Sequence, residues 1–269
     1  MITQPRPRVC APRERACRPT LHEMQALSGN RQALAQVQTE VIHCIRCPRL
    51  TRYREQVATV KVRRYRDWEY WGRPIPSLGD PDARLLILGL APAAHGGNRT
   101  GRIFTGDRSG DWLCRALYVF GFANQPTSTA RGDGLELKDC YITAALRCAP
   151  PQNKPTPQEL TSCRPYLLRE LGLLRKVRVV VALGRIAFDT FLRACHETGV
   201  ALPRPRPRFA HGARFRLTNG LTLLASYHPS QQNTLTRRLT RAMFHATFRE
   251  ARRLLSQRRE GTIFARSPS

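Results

Sequence analysis

Four short runs of apolar, largely branched residues constrain the fold of this chain most strongly. They cover residues 85–90, 141–146, 177–183 and 221–227. Runs of this kind are typical of strands that are buried on both faces of a sheet. Amphipathic stretches of helical period lie between and after them, at residues 112–122, 157–174, 186–197 and 235–255. This alternation of strands and helices predicts an α/β fold with a parallel sheet.

The predicted sheet also indicates where a ligand would bind. In open parallel sheets, ligands bind beyond the carboxyl ends of the strands, so the loops after Leu90, Leu146, Leu183 and Tyr227 are the places to search. The chain length suits one domain, which we predict over residues 31–256. Residues 1–30 are predicted to be a disordered basic arm and residues 257–269 a disordered tail. The Pro- and Arg-rich stretch 201–216 is predicted to be a surface loop.

The charge of the chain points to a polyanionic partner. Lys and Arg outnumber Asp and Glu by 45 to 19, which gives a net charge of +26. A basic surface binds the phosphate backbone of nucleic acids, although an arginine-rich genome would give part of the same excess. The last helix adds a predicted basic stripe, for which a solvated face is the alternative: Arg237, Arg238, Arg241, Arg249, Arg252 and Arg253. The sequence contains no secretory signal and no apolar run long enough to span a bilayer, so we expect a cytoplasmic protein without a membrane partner.

The cysteines point to a metal centre. In a reducing compartment, nine cysteines predict metal binding or catalysis rather than disulfides. Cys44 and Cys47 form a CxxC pair after a predicted helix, and Cys148 and Cys163 form a second, more widely spaced pair. Four thiolates satisfy either zinc or an iron–sulfur cluster, and their spacing does not choose between them. For the CxxC pair alone, a thioredoxin-type redox pair is the alternative.

The other reading of these cysteines is that they are buried thiols that act as small hydrophobic residues. We expect this role for three further cysteines that lie in periodic segments: Cys114, Cys140 and Cys195. Cys10 and Cys17 belong to the predicted arm.

A glycine-rich loop, residues 89–110, follows the first predicted strand. Its glycines let the backbone approach a ligand closely, but the loop matches no nucleotide-cofactor motif. Phe104 could stack on a planar base or anchor the loop in the core. Asp107 could cap the next helix or, if Ser109 or Asp111 is the cap, keep a free carboxylate.

A polar segment, HPSQQNT at residues 228–234, follows the last predicted strand. His228 lies where ligands bind in such sheets, which favours a functional role over a structural one. Gln231, Gln232 and Asn233 could fill the space that a flipped base leaves in a duplex.

Several long motifs, in this order, resemble one family: the CxxC, GLAPAAHGGNRTGRIFTGD, RCAPPQNKPTP, SCRPYL and HPSQQNT. The chain resembles the type-5 uracil-DNA glycosylases, the B-type enzymes of bacteria and archaea, from about residue 42 to residue 252. The resemblance implies a three-layer α/β/α sandwich around a central four-stranded, mainly parallel sheet. It also implies a [4Fe–4S] cluster, with zinc as the alternative, on Cys44, Cys47, Cys148 and Cys163.

The resemblance assigns roles to residues at the strand ends. It implies three catalytic residues: Asp107, His228 and Asn153. It implies further contacts to the flipped base or the DNA from these residues: Ala91, Pro92, Ala93, His95, Gly96, Phe104, Ser230, Gln231, Gln232 and Asn233. Other uracil glycosylases carry a polar or acidic residue near Ala91 that activates water, and type-5 enzymes lack it, so the resemblance implies that the catalytic groups lie elsewhere, at Asp107 and Asn153. Ala144 replaces an asparagine that reads uracil in related families, which predicts a permissive pocket.

The predicted function is that of a monomeric DNA repair glycosylase for uracil and other deaminated or damaged bases. We predict a monofunctional enzyme, because no lysine near the motif loops is placed for Schiff-base chemistry; Lys154 is the nearest. One alternative is a non-enzymatic iron–sulfur protein that binds DNA or senses redox state, and another is a zinc-stabilised nucleic-acid module. Both leave Phe104, Asp107 and HPSQQNT without a role.

Overall fold

The computed structural model describes residues 21–257. The helices are α1 (Leu21–Ile42), α2 (Pro48–Val60), α3 (Gly97–Thr100), α4 (Arg108–Val119), α5 (Pro157–Leu173), α6 (Arg185–Glu197), α7 (Gln231–Leu235) and α8 (Arg241–Ser256). The strands are β1 (Leu78–Gly79), β2 (Leu85–Gly89), β3 (Cys140–Ala144), β4 (Val179–Leu183), β5 (Arg214–Arg216) and β6 (Thr222–Ser226). Two short 3₁₀ turns cover Arg63–Tyr65 and Pro151–Asn153.

The sheet has six strands in the order β1-β3-β2-β4-β6-β5. The four predicted strands are confirmed as β2, β3, β4 and β6, which pair in parallel at the centre. The predicted number of strands was too low, because β1 and β5 add antiparallel edges to the sheet. These edge strands contain two and three residues, which is too short for a period-2 pattern to be read from the sequence.

Alternating side chains of β2 face two different helical layers. Leu85 and Ile87 pack in one core with residues of α4 and α8, and Leu86 and Leu88 pack in another with residues of α1, α5 and α6. All four leucine and isoleucine side chains are fully buried. The chain is therefore the predicted α/β/α sandwich, with the parallel strands buried on both faces.

Local sequence sets the helix starts next to the candidate site. Asp107 is the N-cap of α4, and Thr156 with Glu159 forms a capping box at α5. Thr240 caps α8, so the helix predicted over residues 235–255 is interrupted near its start: α7 ends at Leu235 and α8 begins only at Arg241. The pattern missed this break because apolar residues continue at helical spacing across it.

The described residues differ from the predicted domain limits at the N-terminus. Helix α1 begins at Leu21, before the boundary that the sequence suggested at residue 30. The rest of the predicted arm, including Cys10 and Cys17, and residues 258–269 of the predicted tail lie outside the described residues. Between residues 21 and 257, no helix has the length and apolar character needed to cross a membrane.

Candidate active site

The loops after the four parallel strands meet at one edge of the sheet, as the predicted topology requires. This edge carries the glycine-rich loop after β2, the proline-rich loop after β3, Gly184 after β4 and the His228 segment after β6. Residues that are far apart in the sequence therefore become neighbours, beginning with Phe104 and His228.

Asp107 closes the glycine-rich loop. One carboxylate oxygen, Oδ1, accepts a hydrogen bond of 2.9 Å from the Gly110 N–H. The other, Oδ2, lies so close to Gly96 that a Cβ atom there would be 2.0 Å away. Burial raises the pKa of Asp107, and the Gly110 and Ser109 N–H groups act against that rise. Asp107 is therefore the helix cap, and its second oxygen is held against the loop backbone in a poorly solvated place.

Phe104 connects the glycine-rich loop to the segment after β6. Its φ of 48° is in the left-handed region, a conformation that a bulky residue rarely adopts. The ring lies over Gly89, where a Cβ atom would be 2.8 Å from it, and stacks on the His228 ring with 5.9 Å between centroids and 29° between planes. The ring packs against the core, which agrees with the anchor role, and its stacking on a base stays a prediction.

His228 is held by its own loop. The Asn233 Nδ2 donates a 2.9 Å hydrogen bond to the His228 carbonyl, and the Ser230 Oγ caps α7. Burial lowers the pKa of His228 to about 4, so the ring is uncharged at neutral pH and carries a single N–H donor. The Asn233 amide is therefore engaged in the loop, and its entry into a duplex stays a prediction. Gln231 and Gln232 are exposed and remain candidates.

A pocket of about 460 Å³ opens beside His228. Its lining includes Leu90, Gly184, Phe209 and Ala210. Phe209 and Ala210 belong to the Pro- and Arg-rich stretch that the sequence predicted to be a surface loop. The stretch is fixed to β6 because the Tyr227 N–H donates a 3.1 Å hydrogen bond to Nδ1 of His211, whose ring stacks on that of Tyr227 at 5.1 Å.

The first residues of the glycine-rich loop mostly support other residues. Ala91 packs against the apolar cluster of Leu50, Leu146 and Cys148, and the Ala93 carbonyl accepts the Gly96 and Asn98 N–H groups.

Pro92 and His95 of the same loop also contact other residues. Pro92 is buried, with its Cβ 2.9 Å from the position of a Cβ added to Gly97. Nδ1 of His95 lies 3.1 Å from the Tyr70 hydroxyl.

Arg99 is a positioning residue that the sequence did not reveal. Its Nε donates to the His95 carbonyl at 2.8 Å and its Nη2 to the Gly106 carbonyl at 2.9 Å. The guanidinium lies 3.9 Å from the centre of the Tyr65 ring and 4.0 Å from that of Trp68. Arg99 therefore joins both ends of the loop that carries Asp107. The signal in the sequence was the basic and aromatic segment around Trp68, which no predicted element used.

Asn153 lies in the loop after β3, at the end of a 3₁₀ turn. It is exposed, has a φ of 58° and does not line the pocket beside His228. Lys154, the lysine considered for Schiff-base chemistry, is also exposed, and its carbonyl accepts a hydrogen bond from Arg49. The catalytic role of Asn153 stays a prediction.

The four predicted ligand cysteines line one cavity between α2, α5 and the loop after β3: Cys44, Cys47, Cys148 and Cys163. Cys47 is the N-cap of α2 and Pro48 its first residue, so the CxxC turn leads directly into this helix. Burial raises the pKa of Cys148 and Cys163 to about 12, and the neighbouring thiols add to the rise. Cys114, Cys140 and Cys195 are buried, as expected for structural thiols.

The thiols in this cavity are not arranged for a single ion. Within the part of the chain that the structure describes, no group of three or more His, Cys, Asp or Glu side chains has the geometry to hold one metal ion. None of the described cysteines forms a disulfide.

Comparison with known proteins assigns the chain to a family. The profile described as "Uracil DNA glycosylase superfamily" matches residues 76–252. A type-5 uracil-DNA glycosylase of Thermus thermophilus is 51% identical over 225 residues, which cover 84% of this chain and 98% of the relative. A type-5 uracil-DNA glycosylase of Mycobacterium tuberculosis is 49% identical over 229 residues, which cover 85% of this chain and 84% of the relative. The chain belongs to the type-5 uracil-DNA glycosylase family. A type-4 uracil-DNA glycosylase of Archaeoglobus fulgidus is 29% identical over 157 residues, which cover 58% of this chain and 70% of the relative.

Membership of the type-5 family confirms the resemblance seen in the motifs and does not support the non-enzymatic alternative. One detail of the predicted basic stripe needs correction. Arg252 is turned inward, with its guanidinium 3.7 Å from the centre of the Phe122 ring and its Nε bonded to the Phe120 carbonyl. Arg238 and Arg241 are exposed; Arg238 covers the ring of Tyr227, which lines the pocket, and Arg241 covers that of Trp112.

The lowered pKa of His228 predicts a pH dependence of stability in this type-5 family member. The unfolded chain takes up a proton near the ordinary pKa of 6.5, whereas the folded chain takes it up only near 4. The free energy of unfolding should therefore fall as the pH is lowered from 6.5 towards 4, by about 1.4 kcal/mol for each unit.

Urea denaturation at pH 7 and pH 5 measures this effect. His228→Gln should reduce the pH dependence, whereas His196→Gln, at an exposed position in α6, should leave it unchanged. Equal pH dependence in the wild-type and His228→Gln proteins would contradict the prediction.

Proposed function

We propose that the protein is a DNA repair glycosylase that flips uracil out of DNA and hydrolyses its N-glycosidic bond, leaving an abasic site. The observation that carries this proposal is the stacking of the Phe104 ring, from the loop that also holds Asp107, on His228, which lines a pocket of about 460 Å³. An aromatic face, an uncharged donor and a desolvated carboxylate are the groups that recognition and release of a flipped base require.

The chemistry assigns opposite tasks to two of these residues. As the glycosidic bond breaks, positive charge develops on the sugar and negative charge on the departing base. The Asp107 carboxylate stabilises the first charge. The N–H of the neutral His228 ring donates to the base carbonyl, where the second charge collects. A base that stacks on Phe104 takes the place of the His228 ring, so we propose that this ring shifts when the base enters.

The remaining assignments follow the family resemblance. Asn153 would orient the base or the attacking water, and His95 and Gly96 would contact the base. Gln231 and Gln232 would enter the space that the flipped nucleotide leaves. The structural contacts of Ala91 and Asn233 favour supporting roles for both. DNA with uracil or other damaged bases is the proposed substrate, and a monomeric, monofunctional, cytoplasmic enzyme stays a prediction.

We further propose that the four-cysteine cavity holds a [4Fe–4S] cluster. Four thiols around one buried cavity form the donor set that iron–sulfur clusters take, and charged thiolates are stable in such a place only when they bind metal. When bound, the cluster would supply a covalent link between residues and no step of the hydrolysis. Cys44 and Cys47 would join the start of α2 to Cys148, after β3, and to Cys163 in α5.

The activity is tested with protein purified without oxygen. We expect iron and sulfide in the preparation and excision of uracil from a labelled duplex, detected as strand breaks at abasic sites after alkali treatment. A duplex with thymine at the same position is the control. No breaks in any uracil- or hypoxanthine-containing substrate would contradict the proposed activity, and zinc without iron would contradict the cluster.

The stacking role of Phe104 predicts a selective loss of excision in Phe104→Ala. Loss of stacking between a base and an aromatic ring is worth about 1–3 kcal/mol, so single-turnover excision should slow roughly 5- to 150-fold. Binding to undamaged duplex should stay near the wild-type level. Tyr118→Ala, which removes an exposed aromatic side chain of α4, is the matched control. Excision by Phe104→Ala at the wild-type rate would overturn the stacking role.

A further inference from the structure

Two buried arginines lie next to the cysteine cavity, and their charges are balanced very differently. Arg147, which precedes Cys148 and lines the cavity, is paired with the fully buried Glu170. Arg54 of α2 is 3% exposed. Its carboxylate neighbour is Glu55, 3.2 Å from Nη2, and that side chain is 59% exposed.

Two nitrogen atoms of Arg54 make no hydrogen bond within residues 21–257. These are Nε and Nη1, both buried. A buried guanidinium without partners is costly, and the loss reaches several kcal/mol when the charge is not compensated. A protein normally retains such a group only where something supplies the missing acceptors and negative charge.

The direction in which Arg54 faces identifies that place. Leu50 and Arg54 are the two buried residues of α2, and their four-residue spacing puts them on one face of the helix. Leu50 lines the cysteine cavity and packs against Cys148. Arg54 lies one turn further along this buried face, which places its side chain on the side of α2 that packs against the cavity.

We propose that Arg54 is the counter-charge of the iron–sulfur cluster, donating its free N–H groups to the Cys148 sulfur or to a cluster sulfide. This inference rests on the proposed cluster. Four thiolates around an iron–sulfur core leave a net negative charge, which supplies the acceptors that Arg54 lacks. Hydrogen bonds and positive charge at the sulfur atoms favour the reduced, more negative state, and so raise the reduction potential.

The same turn of α2 also contacts the candidate active site. The Arg54 carbonyl accepts a 3.1 Å hydrogen bond from Nδ2 of Asn98, a residue of the glycine-rich loop that is 1% exposed. The main chain of α2 at Arg54 thus connects the cavity side of this helix to the loop that carries Phe104 and Asp107. Arg54 is a positioning residue in this arrangement, because it does not line the pocket beside His228.

The test compares the reduction potential of the cluster in Arg54→Met, Arg54→Lys and Arg52→Met. Arg52 lies exposed on the same helix, so Arg52→Met removes the same charge away from the cavity. In Arg54→Met, the reduction potential of the cluster should fall by at least about 59 mV. For one electron, this is a tenfold change in the reduction equilibrium. The reduction potential of Arg54→Lys should fall less, because lysine keeps the positive charge. The reduction potential of Arg52→Met should equal that of the wild type.

The outcomes separate the inference from the proposal on which it rests. A wild-type protein without iron and sulfide would contradict the cluster itself. A loaded Arg54→Met protein with the potential of Arg52→Met would overturn only the role of Arg54. If Arg54→Met keeps its helical circular dichroism but fails to retain iron, the inference is supported. If Arg54→Met does not fold, Arg54→Gln, which removes the charge but keeps a polar side chain, replaces it, and a potential of Arg54→Gln equal to that of Arg52→Met would overturn the role.

Discussion

Replacing Asp107 by asparagine is expected to reduce uracil excision by roughly 10²–10³-fold, the size of effect seen when one preorganised electrostatic group is removed from an active site. Asparagine keeps an oxygen that can accept the hydrogen bond from the Gly110 N–H, so the cap of α4 is retained. The loss of charge is then separated from the loss of the cap. Single-turnover excision measures the first, and thermal unfolding measures the second.

Asp107→Ala completes this comparison. It removes the cap as well as the charge, so it should lose a further ~1 kcal/mol of stability while its excision stays as low as that of Asp107→Asn. Asp111→Asn is the matched control, because Asp111 lies in the first turn of the same helix. Full activity in Asp107→Asn would show that Asp107 is only a cap, and equal losses of excision and duplex binding would show a structural role.

The pKa of Asp107 adds a signature that a mere cap would lack. Burial raises this pKa above the ordinary value for aspartate, and the charged form is the active one in the proposed mechanism. Activity should therefore be lost as the pH falls through the raised pKa, at a higher pH than an exposed carboxyl group would give. The acid limb of the profile of kcat/KM against pH measures the pH at which activity is lost.

Replacing Glu170 by leucine is expected to lower the free energy of unfolding by about 3–5 kcal/mol. Glu170 is fully buried in α5 and pairs with Arg147, whose side chain is 2% exposed. It also accepts hydrogen bonds from Thr143 at 2.6 Å and from Ser77 at 2.6 Å, and Gln38 of α1 donates to it at 2.9 Å. Removing the carboxylate leaves the Arg147 charge buried without its partner.

Urea denaturation of three variants tests this prediction. In Glu170→Leu/Arg147→Met, part of the loss should be recovered, because no uncompensated charge remains. Glu40→Gln breaks an exposed pair between α1 and α5, in which Arg169 and Glu40 are 43% and 40% exposed. That pair should contribute less than about 1 kcal/mol. A loss in Glu170→Leu no larger than in Glu40→Gln would contradict the role of the buried network.

The pattern of the sequence was sufficient for the parts of this protein that local chemistry determines. Residues 85–90 and 177–183 are apolar on both faces, so a buried parallel strand is the structure they favour, and the strand ends then indicate the candidate site. The CxxC turn, the glycine-rich loop and the HPS segment could be recognised because each is a contiguous run. Their match to the type-5 family rests on the same local information.

Only the tertiary structure decided the roles that depend on distant partners. Asp107 could be a cap or a free carboxylate until the position of α4 was known, and Ala91 proved to pack towards the cysteines. Arg54 and Arg252 were two arginines among many in a strongly basic chain until their burial was seen. The physical reason is that periodicity reports which side of an element is buried, whereas the free energy of a buried charge or a hydrogen bond depends on atoms brought from elsewhere in the chain.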